Sequence, residues 1–394
     1  MRLVLISLDA VARPDADRLL SLPVFSALRR EGVFCQNFLT AYPTLTYPIH
    51  TSIITGCYPE KHGIAHNQPF QPDTRPEMRA WYWEAGDIRA KTLWRAAREK
   101  GLTCASILWP VSGRNGDLGH NFPEILPLPG ENATLKMLRY ATPVWVLWME
   151  LLYGKTRKSI KQPDLDDYAV LLAEKLLLSR RPPDVLTLHL VDCDAMRHQY
   201  GADSEEAFDA MRRLDARVDR VLRAARRAGR MEDTVFCVVS DHGQINVQKE
   251  IDLNAELQRA GVGRAQTCGM GAYIFADDLA RAQAFLEQNR ERLLISDIYD
   301  EAALRALHAA PGVRLAVSAQ RGCAFSDGEG AHKGDHGFSL SEPEARALLF
   351  LCGGPFKRGV ELDRADVVDI APTLARALGL SLPDADGKCL NEAF

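Results

Sequence analysis

Short runs of hydrophobic residues alternate along the chain with longer segments in which hydrophobic residues recur at helical spacing. The runs span residues 3–8, 106–109, 185–191, 234–239 and 347–352. Because polar residues are few within them, these runs predict strands that are buried on both faces. Strands of this kind, separated by helices, predict an α/β fold with a mostly parallel central sheet and helices on both of its faces.

Two stretches interrupt this alternation. The first, about 115–165, contains an apolar and aromatic segment at 142–153. We interpret the segment as a buried cap helix, with a dimer surface or a lipid-facing patch as alternatives; it is too short to span a bilayer, which takes about 20 residues. The second stretch, about 265–330, has the pattern of a small inserted α+β cap subdomain. The predicted catalytic domain therefore comprises 1–264 and 331–394.

Composition narrows the class of protein. The 394 residues carry 48 Lys and Arg against 52 Asp and Glu, and this net charge of -4 argues against a dedicated binder of duplex nucleic acid. Nine cysteines are scattered without a CxxC motif, which predicts buried reduced thiols in a cytoplasmic protein. The N-terminal residues become acidic too soon for a signal peptide and are interpreted as the first strand.

Polar residues that can ligate metals stand just after the predicted strands, where open α/β sheets place their ligand sites. They are Asp9, Asp194, His198, Asp241, His242 and His336. Asp194 and His198 are one helical turn apart, so that both can face one ion. Three aspartates and three histidines form two nitrogen and oxygen sites, which suit zinc or manganese.

A candidate nucleophile, Thr46, lies in the segment AYPTLTYPIH at 41–50, between two prolines. An apolar helical pattern follows, so Thr46 is expected near a helix N-terminus, where backbone N–H groups and the helix dipole favour an anion. A metal ion can turn such a hydroxyl into an alkoxide near neutral pH. Taken alone, the segment also fits a loop and a helix cap.

The segments around Thr46 resemble those of a known protein family. The segments PTLTYPIH at 43–50 and TGCYPEKHGIAHN at 55–67 closely resemble the nucleophile segment of nucleotide pyrophosphatase/phosphodiesterases, of the alkaline phosphatase superfamily. The remaining motifs follow in the family's order, namely Asp9, Asp194 with His198, SDHG at 240–243 and GDHGF at 334–338. The resemblance implies an alkaline-phosphatase-like fold and two zinc ions, with Mn²⁺ or another divalent metal as the alternative.

The resemblance also implies roles for individual residues. One metal ion would be held by Asp194, His198 and His336. The other would be held by Asp9, Asp241 and His242, with the Thr46 oxygen reaching towards it. Asn67 and the Thr46 backbone N–H would donate to a phosphoryl oxygen. The implied course is attack by Thr46 on a small phosphodiester or nucleotide, a phosphothreonine-type intermediate, and hydrolysis by a metal-bound water.

Several residues near the motifs have competing interpretations. His332 competes with His336 as a ligand, and we prefer His336 because its glycine context matches the family. Arg197 replaces a glycine that is usual in the family, and it either adds charge near the site or points to solvent. The residues that we interpret as structural are His50, His62, His66 and Asp192. The aromatic residues Trp81, Tyr82 and Trp83 are either a stacking wall for a nucleobase or core.

Other activities remain open from the sequence. Phosphonoacetate hydrolases resemble the same motif set, and Lys61 or Arg197 could supply the cation that their small carboxylate requires. A phosphomonoesterase and a catalytically inactive phosphate-ligand binding protein are further alternatives. The segment CYPEK at 57–61 echoes the sulfatase pattern, but lysine replaces its arginine and Thr46 already occupies the nucleophile position. The oligomeric state is not indicated.

Overall fold

The computed structural model describes residues 1–326 and 332–394. The strands are β1 (Arg2–Leu8), β2 (Val33–Leu39), β3 (Cys104–Ile107), β4 (His120–Phe122), β5 (Val185–Leu190), β6 (Thr234–Ser240), β7 (Ile245–Asn246), β8 (Lys249–Ile251), β9 (Arg264–Thr267), β10 (Gly271–Phe275), β11 (Ile295–Tyr299), β12 (Ala316–Ala319), β13 (Cys323–Phe325), β14 (Gly334–Asp335), β15 (Arg346–Cys352), β16 (Val360–Glu361) and β17 (Ala365–Asp366). The α-helices are α1 (Ala16–Leu20), α2 (Pro23–Glu31), α3 (Thr46–Thr55), α4 (Pro59–His62), α5 (Leu93–Glu99), α6 (Ala133–Tyr140), α7 (Pro143–Tyr153), α8 (Asp164–Leu177), α9 (Asp192–Tyr200), α10 (Glu205–Arg227), α11 (Leu253–Ala260), α12 (Leu279–Gln288), α13 (Glu301–Ala306) and α14 (Ile370–Leu378).

The central sheet has the strand order β16-β2-β15-β6-β1-β5-β3-β4, and β17 also pairs with β2. Its middle strands β6, β1, β5 and β3 are parallel, whereas β15 runs antiparallel to both of its neighbours. The prediction of a mostly parallel sheet is therefore confirmed. Strand β3 lies earlier than the predicted 106–109, because Leu108 turns the chain with a φ of 54°.

Helices cover both faces of this sheet, as predicted, and each face has its own core. The side chains of β1 alternate between the two: Ile6 packs with α2, α8 and α10, and Leu5 packs with α3, α5 and α14. Because successive strand residues point to opposite faces, a run without polar residues is needed to fill both cores. Helix α9 begins just after β5 ends, at the carboxyl edge of this sheet.

A second, antiparallel sheet has the order β11-β12-β10-β9 and carries α12 and α13 between its strands. Its core also includes Leu253 and Leu257 of α11, which precede the predicted subdomain at 265–330. The division of the chain into domains 1–264 with 331–394 and 265–330 stays a prediction. Its second boundary, between residues 330 and 331, lies outside the described residues.

The apolar segment 142–153 forms a helix, α7, but the prediction that this helix is buried is wrong. Only Val146 is buried, whereas Val144 is 79% and Leu151 is 75% exposed. The segment is apolar on nearly all sides, so its sequence carried no periodicity that distinguishes a buried face from an exposed one. Within the described residues, no helix is long and apolar enough to cross a membrane.

Candidate active site

The predicted ligands meet at the carboxyl edge of the central sheet. Asp9 directly follows β1, and Asp241 and His242 directly follow β6. Asp194 and His198 lie on α9, which begins just after β5 ends. Since β1, β5 and β6 are neighbouring parallel strands, their carboxyl ends bring these side chains to one place.

Asp9, Asp241 and His242, here called the Asp9 group, are buried and bring one ligand atom each within 4.8 Å of the others. Nε2 of His242 lies 3.7 Å from Oδ1 of Asp9 and 3.4 Å from Oδ2 of Asp241. The other oxygen of Asp241 accepts hydrogen bonds from the N–H groups of Ala10 and His242. Oδ1 of Asp9 and Oδ2 of Asp241 are therefore left buried without a hydrogen-bond partner in the described chain.

Asp194, His198 and His336, here called the Asp194 group, likewise bring their ligand atoms within 4.8 Å of one another. Oδ1 of Asp194 lies 3.3 Å from Nε2 of His198 and 3.9 Å from Nε2 of His336. Nδ1 of His198 donates to the carbonyl of Gly334, and Nδ1 of His336 donates to the carbonyl of Thr44. Holding Nδ1 as the donor leaves Nε2 of both rings as the ligand atom.

The two groups adjoin each other. The rings of His242 and His336 are stacked with centroids 4.2 Å apart. Nδ1 of His242 is held by the carbonyl of Gly243 at 3.2 Å, so this ring also presents Nε2 to the site. All three imidazoles are thus oriented by backbone carbonyls, which is the arrangement found behind metal-ligating histidines.

The electrostatics of the site favour a bound cation. Burial, followed by the charge of Asp241, raises the pKa of the Asp9 carboxyl well above its usual value, and burial raises the pKa of Asp241 to about 6. Burial lowers the pKa of His242 and of His336 to about 4, so both rings are neutral at pH 7. Unpartnered carboxylate oxygens beside neutral imidazoles are stabilised by a metal ion, and a donor set without thiolate suits zinc or manganese.

Asp194 and His198 differ from the other ligands because they form an ion pair across one turn of α9. Burial disfavours both charges, but the imidazolium of His198 holds the pKa of Asp194 below its usual range. The carboxylate of Asp194 in turn raises the pKa of His198 to about 10. A metal ion at this group therefore has to displace a proton from His198.

Thr46 is the first residue of α3, and the extended conformation of Leu45 ends the preceding loop. Its Oγ1 lies 3.3 Å from Nε2 of His242, which brings the hydroxyl to the Asp9 group. Its backbone N–H has no acceptor in the described chain, as expected for the first turn of a helix. The free N–H and the positive end of the helix dipole therefore favour an anion beside the hydroxyl.

Asn67 is held next to Thr46. Its Oδ1 accepts the N–H of Tyr47 at 3.0 Å, so its amide N–H₂ is left free to donate. Asn67 lines a cavity of about 220 Å³ together with His198, His336 and Trp81. The cavity is also lined by residues 267–269, at and just after the end of β9, and by residues 324–326, at the end of β13.

The aromatic residues at 81–83 have different surroundings. Trp81 lines the cavity, and its ring lies edge to face with Tyr47, with centroids 5.2 Å apart. Trp83 is buried, and the ammonium of Lys136 lies 3.4 Å from its ring centroid. Tyr82 is not among the described residues that line the cavity. Of these three residues, Trp81 is therefore the one that still fits the interpretation as a stacking wall for a nucleobase.

The loop that carries His336 is fixed by backbone contacts. The N–H of Gly337 donates to the carbonyl of Thr44, and the N–H of Met270 donates to the carbonyl of His336. Gly337 has a φ of 83°, and a Cβ there would lie 1.6 Å from the carbonyl oxygen of Cys268. Only glycine fits this position, which explains the glycine after the histidine in the motif.

His332, the competing ligand, lies on the other side of His198, with the two ring centroids 4.2 Å apart. It forms a further candidate group with His198 and Asp335. Its side chain is 51% exposed, whereas that of His336 is 9% exposed. The choice of His336 as the ligand stays a prediction, supported by its burial and its distance to Asp194.

The sequence model of the family described as type I phosphodiesterase / nucleotide pyrophosphatase matches residues 3–328, which is more than half of the chain. The chain belongs to this family. The predicted membership of this family is thereby confirmed, and the motif GDHGF at 334–338 lies beyond the matched residues. The roles of the individual residues stay predictions.

Relatives in this family differ in how much of them the chain matches. Human ectonucleotide pyrophosphatase/phosphodiesterase family member 1 is 27% identical over 60% of this chain, but the match covers only 23% of that protein. Mouse bis(5'-adenosyl)-triphosphatase enpp4 is 23% identical over 99% of this chain and 81% of its own length. Mouse family member 7 is 21% identical over 98% of this chain and 85% of its own length.

Solved structures of family members share the fold. Murine ectonucleotide pyrophosphatase / phosphodiesterase 5 superposes with a TM-score of 0.74 at 17% identity, covering 98% of both chains. An inactive threonine-to-alanine variant of that protein, solved in complex with AMP, has the same TM-score and identity. The predicted alkaline-phosphatase-like fold is therefore confirmed.

Of the two alternatives considered for Arg197, the one in which it points to solvent is wrong, whereas its charge does lie next to Ala10, the neighbour of Asp9. The side chain is buried, and its guanidinium donates to the carbonyl of Ala10 at 2.7 Å and to the carboxylate of Asp15 at 2.5 Å. It therefore neither points to solvent nor lines the cavity beside Asn67. The ammonium of Lys61 is bound by the Asp384 carbonyl and the Asp386 carboxylate, which also removes it from the site.

The remaining residues near the motifs also have partners. Asp192, the first residue of α9, is buried and accepts hydrogen bonds from Arg213 and Arg217, so it forms ion pairs that join α9 to α10. His62 contacts Ser52 of α3 and accepts the N–H of Ile64. His66 accepts the N–H of Gln68 and donates to the carbonyl of Thr267. His50 lies closer to the site than expected, because its Nδ1 donates to the Thr46 carbonyl and lies 3.6 Å from Asp241.

The sulfatase-like cysteine has no place in the site. The thiol of Cys57 lies against the carbonyls of Thr55 and Asp384, and burial raises its pKa. Two residues that do contact the ligands were missed in the sequence. His189, in the middle of β5, contacts Asp9, and Gln244 donates to Asp194. A histidine within an otherwise apolar strand run was the available signal for the first.

Proposed function

We propose that this protein hydrolyses phosphodiester or nucleotide pyrophosphate bonds, with Thr46 as the nucleophile and two divalent metal ions as cofactors. Zinc is the preferred metal, and manganese is the alternative. One observation carries the proposal: Oγ1 of Thr46 lies 3.3 Å from Nε2 of His242, at a helix N-terminus. Two buried carboxylate oxygens without partners, Oδ1 of Asp9 and Oδ2 of Asp241, adjoin the same point.

The proposed metal ligands are the two groups described above, with Oγ1 of Thr46 added to the Asp9 group. When bound, two divalent ions supply Lewis-acid polarisation and neutralise the charge that develops on the attacking and leaving oxygens. The Nδ1 contacts of His198, His242 and His336 hold the Nε2 atoms in place as ligands.

In the proposed reaction, Oγ1 of Thr46 forms a bond to phosphorus while the bond between phosphorus and the leaving oxygen breaks. The amide of Asn67 and the backbone N–H of Thr46 donate to a non-bridging phosphoryl oxygen, supported by the dipole of α3. Water then attacks the phosphothreonine, which releases the phosphate product and restores the hydroxyl. Trp81, at the cavity wall, is positioned for contact with a nucleobase or an aryl leaving group.

The proposed substrate is a small diester or anhydride. A phosphomonoester or phosphonoacetate carries an additional negative charge, which requires a further cationic group. The two candidates, Arg197 and Lys61, are already bound to Asp15 and Asp386. Among the described residues that line the cavity there is no lysine or arginine. These observations support the diesterase over both alternatives, and they give no support for recognition of duplex nucleic acid.

A substrate panel tests the proposal. The protein is stripped with a chelator, reloaded with zinc or manganese, and assayed with a bis-aryl phosphate, a dinucleoside polyphosphate, an aryl monophosphate and phosphonoacetate. We expect no turnover without metal and the highest kcat/KM on the diester or the dinucleotide. A preference for the monoester or phosphonoacetate would establish the alternative activity, and absence of turnover with every substrate would leave a phosphate-ligand binding protein.

We also propose a cytoplasmic location. All nine cysteines, each of which lies in the described part of the chain, are unpaired, and seven of them are buried. Unpaired buried thiols are typical of a reducing compartment. Cell fractionation with an antibody against the chain tests this, and recovery outside the cytoplasm would contradict it.

A further inference from the structure

The exposed face of α7 is entirely apolar. Five of its residues are at least 48% exposed, and they recur at the spacing that places side chains on one side of a helix. They are Val144, Leu147, Trp148, Leu151 and Leu152. The side chains that α7 turns inwards, Trp145, Val146 and Met149, are apolar as well, so the helix is hydrophobic on its exposed side and on its buried side.

This face is part of a larger patch. The described chain exposes twelve large hydrophobic residues, and eight of them lie between positions 126 and 160. The additional three are Leu126, Leu135 and Ile160. We call these eight residues the α7 patch. Leu126, Leu147 and Ile160 also line an apolar cavity of about 580 Å³ beneath the helix, so patch and cavity form one apolar surface. Hydrophobic surface concentrated in this way marks an interaction site.

Cations frame the patch. Residues 126–161, which contain the patch, have six basic and two acidic residues, in a chain whose net charge is -4. Arg139, Lys155, Lys158 and Lys161 are exposed and form no ion pair within the described residues. The partner of this surface is therefore expected to be negatively charged as well as apolar.

We infer that the α7 patch docks onto the surface of an anionic phospholipid bilayer. Trp148 and the leucines enter the boundary between headgroups and acyl chains, and the four cations contact lipid phosphates. With 11 residues, α7 is about 16 Å long, so it lies in the plane of the membrane surface. A second copy of the chain fits less well, since a two-fold contact through this patch brings the same cations together.

Vesicle binding tests the inference. The full chain is sedimented with vesicles of phosphatidylcholine alone and of phosphatidylcholine with phosphatidylglycerol in equal parts. We expect binding to the anionic vesicles that weakens with salt, and at least about tenfold weaker binding to the neutral ones. Leu151→Glu should weaken anionic binding at least about tenfold, since it places a charge at the apolar boundary. Absence of wild-type binding to anionic vesicles would overturn the inference.

Matched variants of exposed residues outside the α7 patch serve as controls. Leu178→Glu introduces the same charge at the end of α8, and it should bind like the wild type. Lys158→Glu with Lys161→Glu should abolish the preference for anionic vesicles, whereas Arg226→Glu with Arg227→Glu at the end of α10 should retain it. Circular dichroism checks that each variant is folded. If light scattering shows a wild-type dimer that Leu151→Glu converts to a monomer, the patch is a self-interface and the inference is wrong.

Discussion

His189 donates a hydrogen bond from Nε2 to Oδ2 of Asp9 at 3.1 Å, and both side chains are buried. Nδ1 of the same ring faces the carbonyl of Leu108, so both nitrogens act as donors. Burial alone would lower the pKa of His189, but its hydrogen bond to Asp9 and the nearby carboxylate of Glu124, 3.5 Å from Nδ1, raise it well above the usual value. The histidine thereby fixes Oδ2 of Asp9 and leaves Oδ1 to face His242.

Replacing His189 should reduce catalysis, although His189 itself is not expected to contact the substrate. In His189→Leu, Oδ2 of Asp9 loses its donor and the carboxylate is free to rotate. We expect kcat to fall by about 10- to 100-fold and zinc to bind more weakly, with KM little changed. Steady-state kinetics and competition with a zinc chelator measure both effects. His120→Ala, in the edge strand β4, is the matched control, and equal losses in the two variants would show only a general effect on the fold.

Removal of the Thr46 hydroxyl should abolish turnover while leaving the six side-chain ligands in place. We expect Thr46→Ala to lose about 4 kcal/mol of transition-state stabilisation, which is about a thousandfold in rate. Zinc content by elemental analysis should remain close to that of the wild type. Thr46→Ser should keep measurable activity, because attack requires only the hydroxyl.

Thr44 is the internal control for this experiment. Its hydroxyl donates to the carbonyl of Phe338, and the Thr44 contacts that hold His336 and Gly337 come from the backbone carbonyl. Thr44→Ala should therefore lose far less activity. If Thr46→Ala were active and Thr44→Ala inactive, the nucleophile would be misassigned. If both were active, water would attack the substrate directly.

His62 should make the unfolding free energy depend on pH. Its Nδ1 accepts the N–H of Ile64 and its Nε2 contacts Ser52, so the folded protein holds a neutral ring, and burial lowers its pKa to about 3. Between the unfolded value near 6.5 and about 3, the unfolded chain binds the additional proton, so stability falls as pH falls, by up to about 1.4 kcal/mol per unit. Urea unfolding of His62→Asn should show a smaller slope over this range.

Ser52→Ala is the control for the His62 experiment. This variant removes the Nε2 contact but keeps the imidazole and the Ile64 contact, so stability should drop by a similar amount at each pH. The slope with pH should match that of the unmodified chain. An unchanged slope in His62→Asn would contradict the prediction.

Arg197 should matter for stability and not for substrate choice. Arg197→Ala leaves the Ala10 carbonyl and Asp15 without their guanidinium partner, and we expect a loss of about 3 kcal/mol in the unfolding free energy. The ratio of kcat/KM between bis-aryl phosphate and aryl monophosphate should remain unchanged. A shift of that ratio would mean that the guanidinium reaches the substrate. Arg213→Ala, which removes an arginine outside the site, is the matched control for the ratio.

Much of this protein follows from local patterns in its chain. The runs at 3–8, 185–191 and 234–239 were expected to form central strands, because mostly apolar strands are typical of a sheet that is covered on both faces. The carboxyl ends of parallel strands meet at one edge, so Asp9, Asp241 and Asp194 were expected to converge. The motif order from Thr46 to His336 identified the family, which the match over residues 3–328 confirms.

The sequence by itself therefore determined the central sheet, the order of the candidate ligands and the family, because each depends on neighbours along the chain or on strand direction. Only the tertiary structure decided which way Arg197 points, that His189 supports Asp9, and that α7 leaves one of its apolar sides exposed. Those outcomes depend on contacts between residues far apart in sequence, such as the 180 positions that separate His189 from Asp9. Such contacts leave no periodicity in the chain, and they become defined only when the core has packed.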